Sequence, residues 1–563
     1  MVDGMNGSRY PAGSQQYGSC GLTGSLVPVV AFVWVLCWYF DPIWMSNDDV
    51  GLSMQAHGYG AAHTGAPTLI FPNIIWGHLV RLIPEVNSVL GSSIAALGVL
   101  FVVGAALVHG LLRLGTDYAT SLSVMVLGLT FPILFPNFTV NAGLLTVGAI
   151  ILWRLFAEHD SKAALVMGCL LAFLGFLIRY KEFLFVFLIA LPLIPWRVLL
   201  VSHFSRTTLA VLAVALAGAA IIDHWTYQTE EWQPYNELQA IRPILMDKGA
   251  GSLLLDKYPD ILARHGYSTN DINLMMSWFL ADPRLADPER LKDMLDELGP
   301  LPLQEGRLAK GWASVSGLFH EGLVIVVVTG LLLALLRPSR QVTATWGLSI
   351  LAFFAVGVFF FRTHALHVNF PVVVLLLIAP LLTGRSNPAR FPRIEVLLLA
   401  MMAAYNAPHV FADSAEAKVH SDRLRGEMAA TFPTDESIVT WGISFLYASA
   451  CPVLGGAQAV KPYKIHSLGH AILAPGMVPY WEAKNGRGVL DRLFSDDGVP
   501  ILSSYYEIGL LETYCNERGG RFRQLAEPVM VHRMYNMDVM LYRCQCRITP
   551  GTIYLNWDDI FEK

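Results

Sequence analysis

The sequence predicts an α-helical polytopic membrane protein of about eleven transmembrane helices, with an extracytoplasmic loop domain and a small α/β extracytoplasmic domain at its C-terminal end. Three observations predict it. Apolar residues make up 54% of the chain against 15% charged. They gather in runs long enough to cross a hydrocarbon core of about 30 Å, which takes about 20 residues of helix. The basic residues between the runs fall mainly in alternate loops.

Taken in order, residues 1–22 are rich in Gly and Ser and read as a flexible cytoplasmic tail. The apolar run 25–40 lacks a basic flank and a small-residue cleavage site, so it reads as a retained span. Further runs lie at 86–112, 119–134, 141–153, 163–178, 183–194 and 207–222, then at 318–336, 343–361, 368–382 and 394–405. With the N-terminus inside, Arg113, then Arg154 and Lys162, Arg197 and Arg206, Arg337 and Arg340, and finally Arg385, Arg390 and Arg393 all fall in cytoplasmic loops. Orientation rules expect that bias.

This divides the chain into an N-terminal transmembrane module over 23–222, which holds an outer loop at 41–85, and a large extracytoplasmic loop at 223–317. A second transmembrane module follows at 318–405, then the extracytoplasmic α/β domain at 406–563. The slightly acidic balance, a net charge of −5, leaves no basic stripe to neutralise phosphates, so nucleic acid is excluded as a partner. No phosphate-cradling Gly loop or nucleophile elbow is present, which sets aside a nucleotide-driven pump and a serine hydrolase.

The outer loop 41–85 carries the chemistry. Asp48 and Asp49 follow the first span, and 46–63 reads as an amphipathic helix lying on the membrane, capped by Ser46 or Asn47. Acids in a first helical turn also simply complement the helix dipole. Asp49, Ser53 and His57 are spaced four apart, which puts an acid, a hydroxyl and an imidazole on one stripe. One well-placed carboxylate suffices as a general base.

Two outer turns keep cations where orientation rules disfavour them: Arg179-Tyr180-Lys181-Glu182 and Phe361-Arg362-Thr363-His364. A polar cavity or an anion explains them, as does snorkelling to headgroups. Arg179, Lys181, Arg362 and His364 are the candidates for gripping a phosphate. In the large loop, Tyr235 lies among Trp and Glu residues that suit either carbohydrate or interfacial anchoring, Ser268 or Thr269 can cap a helix reaching Leu280, and 282–297 reads as a solvated helical face. The C-terminal region has β-like stretches at 437–441 and 529–543. The Pro-broken run 471–481 suits that domain's core better than a span. Cys451, Cys515, Cys544 and Cys546 fall outside, where oxidation is available, and three pairings are open.

An acidic pair after the first span, an in-plane helix, Gly65 and Pro67, and the aromatic approach Phe71-Pro72-Asn73-Ile74-Ile75-Trp76-Gly77 resemble the GT-C superfamily of membrane glycosyltransferases. The resemblance implies a GT-C-like fold in a bacterial inner (plasma) membrane with its active site facing the periplasm. It also implies a polyprenyl-phosphate sugar donor, a glycan or glycolipid acceptor, contact with membrane lipid, and inversion at the anomeric carbon. By similarity Asp48 matches the first acid of the family's Asp-Glu motif, Asp49 replaces its Glu, and Arg179 with Glu182 matches an outer-turn Arg and Glu. The Lys-Pro-Pro-Leu stretch of lipid A aminoarabinose transferases is absent, and Phe71-Pro72-Asn73 stands near its place, which makes Asn73 a substrate-binding candidate. The Trp-Trp-Asp motif of oligosaccharyltransferases is absent too, which argues against glycan transfer to Asn of proteins.

A divalent cation, Mg²⁺ or Mn²⁺, is left open, with Asp48 and Asp49 as a thin ligand set. Rival readings are a transporter or flippase of lipid-linked saccharides and a polysaccharide polymerase or ligase. Transporters place polar groups at mid-membrane, whereas here they gather at the outer rim.

Overall fold

The computed structural model describes residues 22–301, 306–361, 363, 365–383, 391–442, 444–469, 471–477, 488–534 and 537–548. Helix α1 (Leu22–Tyr39) leads to α2 (Asn47–His57) and α3 (Ile74–Leu82). Then come α4 (Gly91–Arg113), α5 (Tyr118–Leu134), α6 (Phe138–His159), α7 (Lys162–Ile189), the short α8 (Trp196–Val201) and α9 (His203–Thr226). Short helices α10 (Gln233–Arg242), α11 (Ala250–Lys257), α12 (Pro259–Arg264), α13 (Thr269–Met276) and α14 (Pro288–Leu298) fold the large loop. The helical part closes with α15 (Arg307–Ser316), α16 (Val324–Leu336), α17 (Arg340–Phe360), α18 (Leu366–Leu382) and α19 (Pro392–Thr431).

This is an integral membrane protein by the length and composition of its helices. Among the described residues, α4, α6, α7, α9, α17 and α19 are each long and apolar enough to cross a bilayer. The pair α15–α16, bent by 89°, passes the same test together, and α1, α5 and α18 are shorter apolar helices. Polar side chains start several of them. Asp117 Oδ1 accepts from Thr120 N at 2.8 Å to open α5, and Asn137 Oδ1 accepts from Thr139 N at 2.9 Å to open α6. Ser161 and Ser339 do the same for α7 and α17. Helices α6 and α18 are buried along nearly their whole length and form the bundle's centre, whereas α9 is largely uncovered and presents its apolar surface outward. Close approach needs small residues: Gly143 lies against Pro371, and Gly330 against the backbone at Leu377.

Helix α7 is not straight. Arg179 has extended backbone (φ −160°, ψ 96°) inside it. Trp153 of α6 touches both of its arms. A Cβ on Gly168 would lie 2.8 Å from the Trp153 indole, and the Phe187 ring centre is 6.3 Å from it, edge-on. At 1.5 Å per residue a straight helix would separate positions 168 and 187 by about 28 Å, so the chain doubles back at Arg179. The turn expected at 179–182 is the tip of a helical hairpin.

The polar ends sort into two groups. At one end Ile43 N donates to Leu134 O (3.0 Å), Asn73 N to Leu177 O (2.8 Å) and Asn369 Nδ2 to Gly317 O (3.0 Å). At the other, His159 meets Arg113 O (2.8 Å), Arg154 donates to Gln341 (2.6 Å) and Arg337 pairs with Glu395 (2.7 Å). The basic loops thus collect at the end opposite the loops 41–85 and 223–317.

Helix α19 continues unbroken through the boundary expected at 405/406 as far as Thr431, because the polar stretch after Ala412 is rich in Ala, Glu, Lys and Arg and propagates the helix. It carries the C-terminal domain, whose sheet has the order β2-β1-β3-β6-β4. The strands are β1 (Ser437–Trp441), β2 (Lys464–Leu468), β3 (Val499–Ser504), β4 (Gly520–Gln524), β5 (Val529–Met534) and β6 (Met537–Ile548). β1 is parallel to β2 and β3, while β6 is antiparallel to β3, β4 and β5. Of the open cysteine pairings, Cys515–Cys546 is formed, and Cys451 and Cys544 are buried thiols.

The large loop and this domain share one apolar core, in which the Phe279 ring lies 5.0 Å from Trp441 and 5.6 Å from Tyr514. The solvated face expected at 282–297 is present on α14, where Glu289, Lys292, Asp293, Asp296 and Glu297 are exposed, but Asp282 departs from it. It is 1% exposed, paired with Arg284 (2.9 Å) and bonded by Tyr514 Oη (2.7 Å), because it joins the two segments rather than facing water.

Candidate active site

The site is built on α2. Ser46 precedes it with extended backbone, and Gly58 ends it in the left-handed region (φ 70°), where a Cβ would strike the backbone at 64–65. The adjacent acids then point to different surroundings. Asp49 is 5% exposed and accepts four bonds: from Ser46 Oγ (2.6 Å), Ser46 N (3.2 Å), Asn137 Nδ2 (2.8 Å) and Phe138 N (2.8 Å). It closes the cap of α2 and ties it to the start of α6. Burial pushes its carboxyl up to about 7, against the pull of those donors.

Asp48 is half-buried and makes no hydrogen bond or ion pair with the described residues. It lines a cavity of about 220 Å³ together with Gly51, Leu52 and Gln55, the i, i+3, i+4 and i+7 positions of one helical face. Three segments beyond the ends of the helical bundle enclose that cavity. The first loop supplies α2, Ile70 and Phe71; the large loop supplies Trp278; the C-terminal domain supplies Tyr447 together with Gly442, Ser467 and Gly469 from the ends of β1 and β2. Asn47 latches the assembly, donating to Phe445 O (2.8 Å) and accepting from Ala448 N (3.1 Å). Gln55 Oε1 accepts from Ile70 N (3.1 Å) and fixes the return of the loop.

At the hairpin tip of α7, the Arg179 guanidinium lies 5.0 Å from the Phe71 ring and 4.8 Å from Phe138. Glu182, Asp48 and Asp49 all act on it electrostatically. Glu182 is 3% exposed, packed near Gly143 and Pro371, and its Oε1 has no hydrogen-bond partner among the described residues. His367, at the start of α18, feels both Arg179 and Asp48. Tyr235 is buried on α10, edge-on to Trp232 at 5.3 Å, within the field of Asp48. The arrangement places an unpaired carboxylate on a cavity wall with a guanidinium in its field.

Of the remaining candidates, those the structure describes do not line this cavity. The stripe Asp49, Ser53 and His57 exists, but it faces the bundle rather than the cavity. Ser53 Oγ bonds Ser92 Oγ (2.7 Å) and Tyr59 Oη (2.9 Å), and His57 Nε2 accepts from Ser92 N (3.2 Å) at the start of α4. Burial, helped by Arg81, holds the His57 imidazole below its usual value, which suits an acceptor nitrogen. Asn73 caps α3, accepting from Ile75 N (3.0 Å) and donating to Ala219 O (2.9 Å). It does not line the cavity that bears Asp48. Lys181 is exposed beside Tyr180, and Arg362 and His364 lie outside the described residues. Asp48 lines the cavity while Asp49 is turned to Ser46, Asn137 and Phe138, so the two carboxylates do not converge on one point as a shared divalent-ion site would need. Among the described residues no cluster of three His, Cys, Asp or Glu side chains is suited to a metal.

Sequence reasoning missed Asn47, Gln55, Trp278, Arg242 and His367. Arg242 lies 5.0 Å over the Trp278 ring. The signal for Gln55 and Asn47 was the cavity-facing stripe itself, once the other stripe is assigned to the core. Trp278 has no such signal: the expected helix to Leu280 ends at Met276, and Trp278 follows in the left-handed region (φ 70°).

No family model and no curated protein matches the chain. A crystal structure of ArnT from Cupriavidus metallidurans in the apo state aligns over 92% of this chain and 98% of that one, at 11% identity and a TM-score of 0.38. An overlap that loose establishes neither shared fold nor shared function, so what this protein does is argued from its own cavity.

Proposed function

We propose that this chain is an inverting glycosyltransferase of the GT-C type, moving a sugar from a polyprenyl-phosphate donor to a glycan or glycolipid acceptor on the extracytoplasmic side of a bacterial inner membrane. The observation that carries the reading is Asp48: a carboxylate with no partner among the described residues, on the wall of a cavity closed by those three segments, in the field of Arg179. Eleven passes accompany it, namely α1, α4, α5, α6, the two arms of α7, α9, α16, α17, α18 and α19, with the cavity end outside.

In this mechanism the acceptor hydroxyl donates to Asp48 and gives up its proton as its oxygen attacks the anomeric carbon. The bond from that carbon to the phosphate oxygen breaks on the opposite face, and its electron pair leaves on the phosphate. Arg179 stabilises the growing phosphate charge, and Lys181, Arg362 and His364 are proposed to share that role at the rim. The lipid tail confines the donor to the depth at which the α7 hairpin turns.

Mass spectrometry of envelope glycans from cells with the protein, without it, and carrying Asp48→Asn tests the reading. Loss of the same single sugar in the second and third samples is expected. Identical profiles in all three samples exclude the enzyme. Loss of whole glycans without the protein, restored by Asp48→Asn, favours a transporter.

A further inference from the structure

Trp278 sits in a backbone conformation that side chains of its bulk rarely adopt. Its φ of 70° is in the left-handed region, where Cβ crowds the following carbonyl. The neighbours hold it there. Trp278 N donates to Met275 O (2.9 Å) and Phe279 N to Leu274 O (2.9 Å), which closes α13, and Ser277 O accepts from Trp441 Nε1 (2.6 Å) at the end of β1. Phe279, 1% exposed, anchors the next position in the shared core.

These bonds account for the backbone of the turn, and the Trp278 indole packs in part against the shared core. Glycine or asparagine at 278 would complete the same turn without strain. The large side chain is kept although it is only half-buried, and it is kept on the cavity wall that also bears Asp48. Arg242 lies 5.0 Å over its ring and is itself braced by Gln239 (3.0 Å) and Asp247 (3.7 Å), so the indole is held rather than free to turn. Much of the wall around it is small, with Gly51, Ala61, Gly442, Ser467, Gly469 and Ala471 leaving room beside the ring.

An immobilised indole, open space beside it and a few polar groups at the margin suit a pyranose ring. Its axial C–H face is apolar and stacks on an aromatic surface, while its hydroxyls reach Asn47, Gln55, Ser467 and Asp48. We infer that Trp278 is the stacking platform for the acceptor, and that the acceptor hydroxyl belongs to a pyranoside rather than to a lipid alcohol or a protein side chain. The inference rests on the glycosyltransferase reading for the word acceptor, but the stacking itself does not.

Saturation-transfer NMR on the full chain in nanodiscs, with methyl α-D-glucopyranoside, methyl α-D-galactopyranoside and methyl α-D-mannopyranoside as probes and cyclohexanol as control, separates the two. At least one pyranoside should show saturation on its axial C–H protons in the parent, and cyclohexanol none. Trp278→Asn keeps the left-handed turn and should bind about tenfold more weakly, the scale of one lost aromatic contact, while Trp278→Phe should stay close to the parent. Equal binding by Trp278→Asn and the parent, or no pyranoside binding by a parent that elutes as a folded species, overturns the platform. Binding that depends on Trp278 while envelope glycans are unaffected by Asp48→Asn would leave the platform standing and remove the transferase reading.

Discussion

Asp48 and Asp49 differ by one position, which on a helix is a rotation of about 100°. That rotation separates a carboxylate with four donors from one with no partner among the described residues. Asp49→Ala removes a cap and strands the Asn137 amide and the Phe138 N–H, so it should lower stability by about 1–3 kcal/mol, measured by thermal melting in detergent. Asp49 also makes stability pH-dependent. Its folded value is raised to about 7 from 3.8, so its contribution is complete below about pH 4 and is lost as pH rises through about 7. The melting temperature of the parent should therefore fall between about pH 4 and 7.5 by more than that of Asp49→Asn. An equal fall in both would show that another group titrates.

At this scale the sequence was only half legible. The motif, its Ser cap and its Gly stop could all be read, but the acid turned away from the cavity, Asp49, is held by Asn137, 88 residues away. Trp278 was hidden because nothing in a sequence marks a tryptophan that will adopt a positive φ.

Elements were easier to read where chemistry interrupts apolarity. The run 163–194 holds four polar residues at its centre, and those residues turn the chain back at Arg179, although the hydrogen-bonded helix is nominally continuous. The strand 437–441 was legible from its β-branched residues, whereas 529–543 resolved into a hairpin, β5 and β6. Helix α19 was misjudged at its end because hydropathy marks where the membrane stops, not where the helix does.

On β5, His532 is 6% exposed and neither ring nitrogen has a hydrogen-bond partner among the described residues. Burial, with His420 of α19 nearby, depresses it to about 4 from 6.5. The stability this group contributes is present above about pH 6.5 and is lost as pH falls through about 4. Replacing it by Phe should make the melting temperature less sensitive to acid between those values. An unchanged acid slope would assign the sensitivity to other residues.

At the scale of the whole molecule, composition and alternating charge set the class, and the separation of basic loops from the loops that close the cavity is the geometric counterpart of that pattern. The large loop and the C-terminal sheet were legible as separate stretches but not as partners, since their shared core is built from contacts between residues more than 100 apart in sequence. Orientation is directly testable. In spheroplasts, a membrane-impermeant maleimide should label Tyr505→Cys, which is 83% exposed, and should not label Asp160→Cys at the turn between α6 and α7. The reverse pattern would put the cavity on the cytosolic side and end the proposal.

The most direct measurement compares the two neighbouring acids in one background, scoring envelope sugar transfer by mass spectrometry and folding by thermal melting. Asp48→Asn should abolish transfer, by at least about 100-fold, with an unchanged melting temperature, while Asp49→Asn should melt lower and still transfer. Transfer that survives Asp48→Asn but not Asp49→Asn, at equal protein levels, would contradict the account.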